Sequence, residues 1–340
     1  MSELTYKVPK LRTVKVDFKI FARDKIQLPK HTGAMWRGFL KRPMYDRLCV
    51  MDLMTCAGCP IISRCGYGQV WERPPDASVR QIGFNDPQPG IVPVPLPEGA
   101  PLQLSAGDRT IIAFHLFGSA IDHIPELIQG FRLACRTQGL GSQRHRIVLE
   151  QVVVRGEEEN RVVFDKSEGL LLPWRSPAPR LLSPEFEEES YGDLMLHFET
   201  PLHLRSHKSK DCLRNIDLHR LTLHQARRLT LLSTQFEGST WDLSWVEPLL
   251  AELENITVLS DTTTYTCFKR WSGRRNRHEP LEGLQGHVIL GRVHIGLIAL
   301  WQTASWTLTG RHTNFGLGKL KVNVFDRSSA ERTAPFLFVS

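Results

Sequence analysis

Three clusters of residues in this chain have the types and spacing to do chemistry. Cys49, Cys56, Cys59 and Cys65 are separated by six, two and five residues, whereas Cys135, Cys212 and Cys267 stand apart. Four clustered thiolates suit one tetrahedral Zn²⁺, with Cys56 and Cys59 on a tight turn carrying Gly58 and Pro60. An iron–sulfur cluster takes the same four ligands, and spacing does not distinguish the two. Either would be structural, because four protein ligands leave no open position for a reacting water. The second cluster is the glycine-rich run from Gly310 to Lys319, which holds Arg311, His312, Phe315, Gly316 and Gly318. Glycines there would let backbone N–H groups approach phosphate oxygens, while Arg311 and Lys319 add charge-assisted contacts. It is not a nucleotide-binding P-loop, since no Gly-x4-Gly precedes the lysine and no Ser or Thr follows it. The third is the basic run Lys269, Arg270, Trp271, Arg274, Arg275 and Arg277, which mixes cations with an aromatic as in sites that hold phosphates and stack a base. Each cluster also has a plainer reading, as buried thiols, a tight turn or a solvated charged loop.

These clusters need elements to position them. Val14, Val16, Phe18 and Ile20 alternate with polar residues and predict an opening strand over Thr13 to Phe21. A helix is expected from Thr32 or Gly33, with Met35, Trp36, Phe39 and Leu40 at helical spacing and a stop near Pro43. The Pro-rich stretch from Pro74 to Pro101 reads as surface loop around short edge strands. Thr110 to Phe117 is a strand, Ile121 to Cys135 a helix and Ile147 to Val154 a strand. The resulting β-α-insert-β-α-β order is that of a ferredoxin-like domain. The proline- and acid-rich stretch from Leu172 to Ser190 reads as an interdomain linker. Beyond it, strands are expected at Leu194 to Phe198, Val288 to Leu290, Thr303 to Leu308 and Leu320 to Phe325, with a helix over Leu218 to Leu232. The expectation is therefore an α+β chain of two tandem ferredoxin-like, RNA-recognition-like domains. The first covers residues 1–175, with a four-cysteine metal-binding insertion at about 49–75, and the second covers 190–340 and carries the glycine-rich loop.

At 340 residues the chain is long enough for two cores. Its net charge of +7 favours polyanionic partners, and the positive residues concentrate in the last quarter. No apolar run approaches the ~18 residues of a membrane helix, and no secretory leader opens the chain, so a cytoplasmic protein with no membrane partner and reduced cysteines is expected.

Taken in order, several segments resemble one family. They are Leu28-Pro29-Lys30-His31-Thr32-Gly33, Trp36-Arg37-Gly38-Phe39, the cysteine loop ending Cys65-Gly66-Tyr67-Gly68, Phe117-Gly118, Gly139-Leu140-Gly141, Phe198-Glu199-Thr200-Pro201-Leu202, Lys269-Arg270-Trp271-Ser272 and Thr313 to Lys319. Together these resemble the precursor-CRISPR-RNA processing endoribonucleases of the RAMP superfamily, the sixth class of CRISPR-associated protein, in its cysteine-loop branch. The resemblance implies paired ferredoxin-like domains that grip a CRISPR repeat RNA and cut it once without a catalytic metal. The ribose 2′-hydroxyl would attack the adjacent phosphate, and the protein would be able to stay bound to the processed crRNA or assemble with other CRISPR-associated proteins. It also implies a histidine near the start of the first helix as base, a position held by His31, whose ordinary pKa of about 6.5 suits proton transfer. Lys41 and Tyr45 follow as candidates to stabilise or protonate the reacting groups, and Arg37 for charge. His312 is read as RNA-binding. The alternative is a non-catalytic crRNA-binding subunit of an effector complex.

Overall fold

Val14, Val16, Phe18 and Ile20 are fully buried along one face of β1 (Leu11–Ala22), while Lys15 and Lys19 on the other face keep part of their surface in solvent. The computed structural model describes residues 8–51, 53, 56–171, 175–183, 190–206, 211–272 and 276–325. After β2 (Ile26–Gln27) come α1 (Gly33–Leu48), α2 (Gly66–Trp71), α3 (Ala77–Gln81), β3 (Ile91–Val94), β4 (Gln103–Leu104) and β5 (Arg109–Phe117). Then follow α4 (Ile124–Thr137), β6 (Ile147–Arg155), β7 (Asn160–Asp165), β8 (Gly169–Leu170) and β9 (Arg180–Leu182). Among the described residues the strand order is β3-β5-β1-β6-β7-β8, with β9 also on β1, and every pairing is antiparallel. Thus β9, inside the stretch read as linker, belongs to the first sheet.

Helices α1 and α4 bury their apolar residues against β1. Phe131 of α4 stacks on Phe18 at 4.3 Å between centroids and meets Phe39 of α1 edge-on at 5.0 Å. Each such ring buried is worth roughly 1.5–3 kcal/mol. Helix α1 does not stop at Pro43 as expected but runs on to Leu48 with Pro43 buried inside it. Packing of Trp36, Phe39, Leu40 and Met44 outweighs the one backbone bond a proline forfeits.

The second half contains β10 (Tyr191–Leu202), α5 (Leu218–Glu237), α6 (Glu247–Ala251), β11 (Thr257–Asp261), β12 (Thr264–Ser272), β13 (Arg277–His294), α7 (Ile295–Gln302), α8 (Ala304–Thr307) and β14 (Leu320–Phe325). Its sheet runs β11-β13-β10-β14, with β12 forming a hairpin with β13. The strand expected over Thr303 to Leu308 is helical instead. Buried Gln225 of α5 donates to Thr303 and Thr307 at 2.6 and 2.9 Å, and that tertiary bonding overrides the β-propensity of the threonines. Within the basic run, Lys269, Arg270 and Trp271 lie on β12 and Arg277 on β13.

Helix α5 ties the halves together. Ser233 donates to the Lys10 carbonyl at 2.8 Å and Gln235 to the Pro74 carbonyl at 3.0 Å. No helix among the described residues is long and apolar enough to cross a membrane.

Candidate functional site

Three segments meet at the seam: the entry to α1, the β12–β13 hairpin and the turn from Gly310 to Phe315. Gly33, at the first position of α1, lies so close to the turn that a Cβ there would stand 2.3 Å from the Phe315 carbonyl oxygen. Only glycine permits that approach. Strand alternation then sorts the hairpin. Phe268 and Arg270 are half-buried toward the seam, whereas Cys267, Lys269 and Trp271 are exposed.

His31 stacks on Phe268 with centroids 4.1 Å apart. Burial, and then the nearby Lys30, lower its pKa to about 4, so the ring is neutral at neutral pH. Phe315 carries two guanidinium groups, Arg270 at 4.0 Å and Arg37 at 5.2 Å from its centroid. Arg270 also pairs with Glu279 across the hairpin, and the buried Nε of Arg37 has no hydrogen-bond partner. His312 holds a left-handed backbone, φ 62° and ψ 22°, stacks on Phe315 at 6.3 Å and meets His203 edge-on at 5.2 Å. Non-glycine residues in that conformation carry strain that the surrounding structure must hold. Beside this centre lies a pocket of about 350 Å³ lined by Arg270, Arg277, His278, Glu279 and His312.

The other expected site residues fall elsewhere. Lys41 pairs with Glu72 and lies 5.9 Å from the Tyr67 ring, so its ammonium is already engaged. The Tyr45 hydroxyl donates to the Leu53 carbonyl at 3.2 Å, tying it to the cysteine segment. At 1.5 Å rise per residue Tyr45 is roughly 20 Å along the helix from His31, which is too far to share one phosphate. The glycine-rich run is used differently from expectation. The amides of Gly316 and Gly318 donate to Thr313 and Pro201 carbonyls, and Lys319 pairs with Glu199 at 2.8 Å, so these groups hold the turn to the protein. Arg311 is exposed and His312, Asn314 and Phe315 are half-buried. Arg274 and Arg275 lie outside the described residues.

The metal site expected at the cysteine insertion is not seen among the described residues. Cys49, Cys56, Cys59 and Cys65 do line one small cavity, but they share it with Val50, Met51, Leu53, Ile61, Ile62 and Tyr67. Burial, and then the Glu72 carboxylate, push the Cys56 thiol up to about 11. Among the described residues no group of three or more His, Cys, Asp or Glu side chains is arranged to hold a metal ion. The four thiols thus share one cavity with an apolar lining.

Sequence reasoning missed Phe268, because nothing local marks it as the lid over a histidine in the other half. It also missed Arg228, which did leave a signal: Leu221, Gln225, Arg228 and Leu232 fall on one buried face of α5 at helical spacing, and a cation on such a face is unusual.

Residues 196–320 match the family model described as CRISPR-associated endoribonuclease Cas6, and residues 11–175 match the model AF_1859_N, an N-terminal domain. No curated protein matches the chain in sequence. Among solved structures, a Thermus thermophilus Cas6 product complex is 12% identical with a TM-score of 0.51, covering 92% of this chain and 99% of that one. A Cas6-RT-Cas1–Cas2 complex is also 12% identical, with a TM-score of 0.54, covering 95% of this chain but 30% of that longer one. At such identity the likeness carries the fold, an α+β body with two antiparallel-sheet domains in tandem.

Proposed function

We propose, from the match of residues 196–320 to the Cas6 family of CRISPR-associated endoribonucleases, that the chain is a member of that family, binds a CRISPR repeat RNA at the seam of its two halves and cuts it once. The observation that carries this reading is the convergence of His31, Arg37, Arg270 and His312 around Phe268 and Phe315. Neutral His31 accepts the proton of a ribose 2′-hydroxyl. The 2′-oxygen bonds to the adjacent phosphorus, the bond from phosphorus to the 5′-oxygen breaks, and that oxygen leaves as a hydroxyl after taking a proton from water, while His31 returns its own proton to the solvent. A 2′,3′-cyclic phosphate remains on the other product. Arg37 and Arg270 supply positive charge where it develops on the phosphate. The reading needs no metal and places the protein in the cytoplasm, with crRNA and other CRISPR-associated proteins as partners.

The test is incubation of purified protein with candidate repeat RNAs in EDTA, followed by mapping of product ends. One cut with a cyclic phosphate, abolished by a single 2′-deoxy nucleotide at the cut position, is the expected result. Turnover of the deoxy substrate would refute the mechanism. A second reading, a subunit that holds processed RNA without cutting, is favoured by the low basicity and stacked ring of His31. Under it, His31→Ala leaves both binding and product yield unchanged.

A further inference from the structure

Adjoining the seam, and sharing His312 and Phe315 with it, α5 and the 310–315 turn line a further pocket of about 430 Å³. The titratable groups lining it are all basic: His224, Arg227 and Arg228 of α5, with Arg311 and His312 of the turn. The remaining wall includes Phe84, Pro87 and Pro89, which offer flat apolar surface.

Arg228 is the informative member. It is only 9% exposed, its Nε donates to the Thr307 carbonyl at 3.3 Å, and its buried Nη2 has no hydrogen-bond partner among the described residues. A buried guanidinium with an unmatched donor is costly unless an anion completes it. Among the described residues lining the pocket no carboxylate does so. Burial lowers the Arg228 pKa only to about 10, so the group remains a cation at neutral pH. Burial first, then neighbouring cationic groups, lower His224 and His312 to about 4, leaving two neutral rings able to accept or donate hydrogen bonds.

The volume is that of a small-ligand site, large enough for a single nucleotide. We propose that this pocket takes one unpaired nucleotide of the bound RNA, its phosphate on Arg227, Arg228 and Arg311 and its base against Phe84 and the flanking prolines. The proposal rests on the RNA-processing reading and adds to it a specific contact beside the cutting centre, through α5.

The experiment measures anisotropy of the labelled repeat RNA, and of its blunt paired stem alone, on the full chain. Arg228→Gln and Arg227→Ala are each expected to weaken binding of the full repeat about tenfold or more, as for loss of a charge-assisted contact, and to leave the blunt stem unaffected. Replacing phosphates of the repeat one at a time by neutral methylphosphonate should reveal one position that weakens the wild type but not Arg228→Gln. Should Arg228→Gln fail to fold, the exposed Arg227→Ala carries the same comparison. Equal affinity of wild type and variants for the full repeat overturns the pocket and leaves the nuclease reading standing. So does an equal loss on repeat and blunt stem, which would mark a purely structural role. A wild-type protein that binds no repeat RNA overturns both.

Discussion

Phe268→Ala should move the acid limb of the cleavage profile. In the folded chain the Phe268 ring covers His31 at 4.1 Å, and burial is the larger of the two causes that lower its pKa from 6.5 to about 4. Removing the ring re-admits water, while the smaller influence of Lys30 stays, so the pKa should recover to about 6. A base must be unprotonated to act. At pH 5 a group of pKa about 4 is roughly nine-tenths unprotonated, and one of pKa about 6 only about one-tenth. Wild-type kcat/KM should therefore stay nearly flat between pH 5 and 7, whereas that of Phe268→Ala falls about tenfold over the same interval. Lost stacking should cost on the order of 1 kcal/mol of stability, which a melting curve at pH 7 will separate from the kinetic effect. Single-turnover assays across pH decide the matter. An acid limb at the same pH in both proteins would show that His31 is not the base, or that Phe268 does not set its basicity.

Three further outcomes follow from the geometry. Gly318 has φ 76°, and a Cβ there would lie 1.8 Å from the Thr309 carbonyl oxygen, so Gly318→Ala should lose about 2 kcal/mol or more; an unchanged urea midpoint would contradict this. Buried His115, with Nδ1 2.7 Å from the Trp306 carbonyl, has its pKa lowered to about 4, chiefly by burial. The unfolded chain then binds more protons between pH 6.5 and 4, so stability that is full above about 6.5 is lost as pH falls, by about 3 kcal/mol for this group, and His115→Gln should flatten the slope of urea midpoint against pH. Finally, burial pushes Cys56 to about 11 and Cys135 to about 12, while Cys267 is exposed. A disulfide reagent at pH 8 should modify Cys267 first, and a fast phase that survives Cys267→Ser would be the contrary result.

The legible part of the fold was the part written in local period. Strands β1, β5, β6 and β14 and helices α4 and α5 stand close to where alternation or helical spacing puts them, because burial of one face enforces the pattern. The misread element, Thr303 to Leu308, has β-forming residues whose hydroxyls are claimed by Gln225 on a distant helix. Helix α1 outran its proline for a similar reason. At the seam, residue types showed where cations and glycines gather, but not their partners. Lys319 belongs to Glu199, and Tyr45 to the Leu53 carbonyl. The cysteine spacing did bring four thiols to one cavity, but not the apolar side chains, among them Ile61, Ile62 and Tyr67, that share it with them.

The contact of Gly33 with the Phe315 carbonyl joins two segments that lie far apart in the sequence. Closing so long a stretch of chain costs entropy that local strands and helices do not have to meet. The seam therefore assembles late in folding, after the sheets on either side of it have formed.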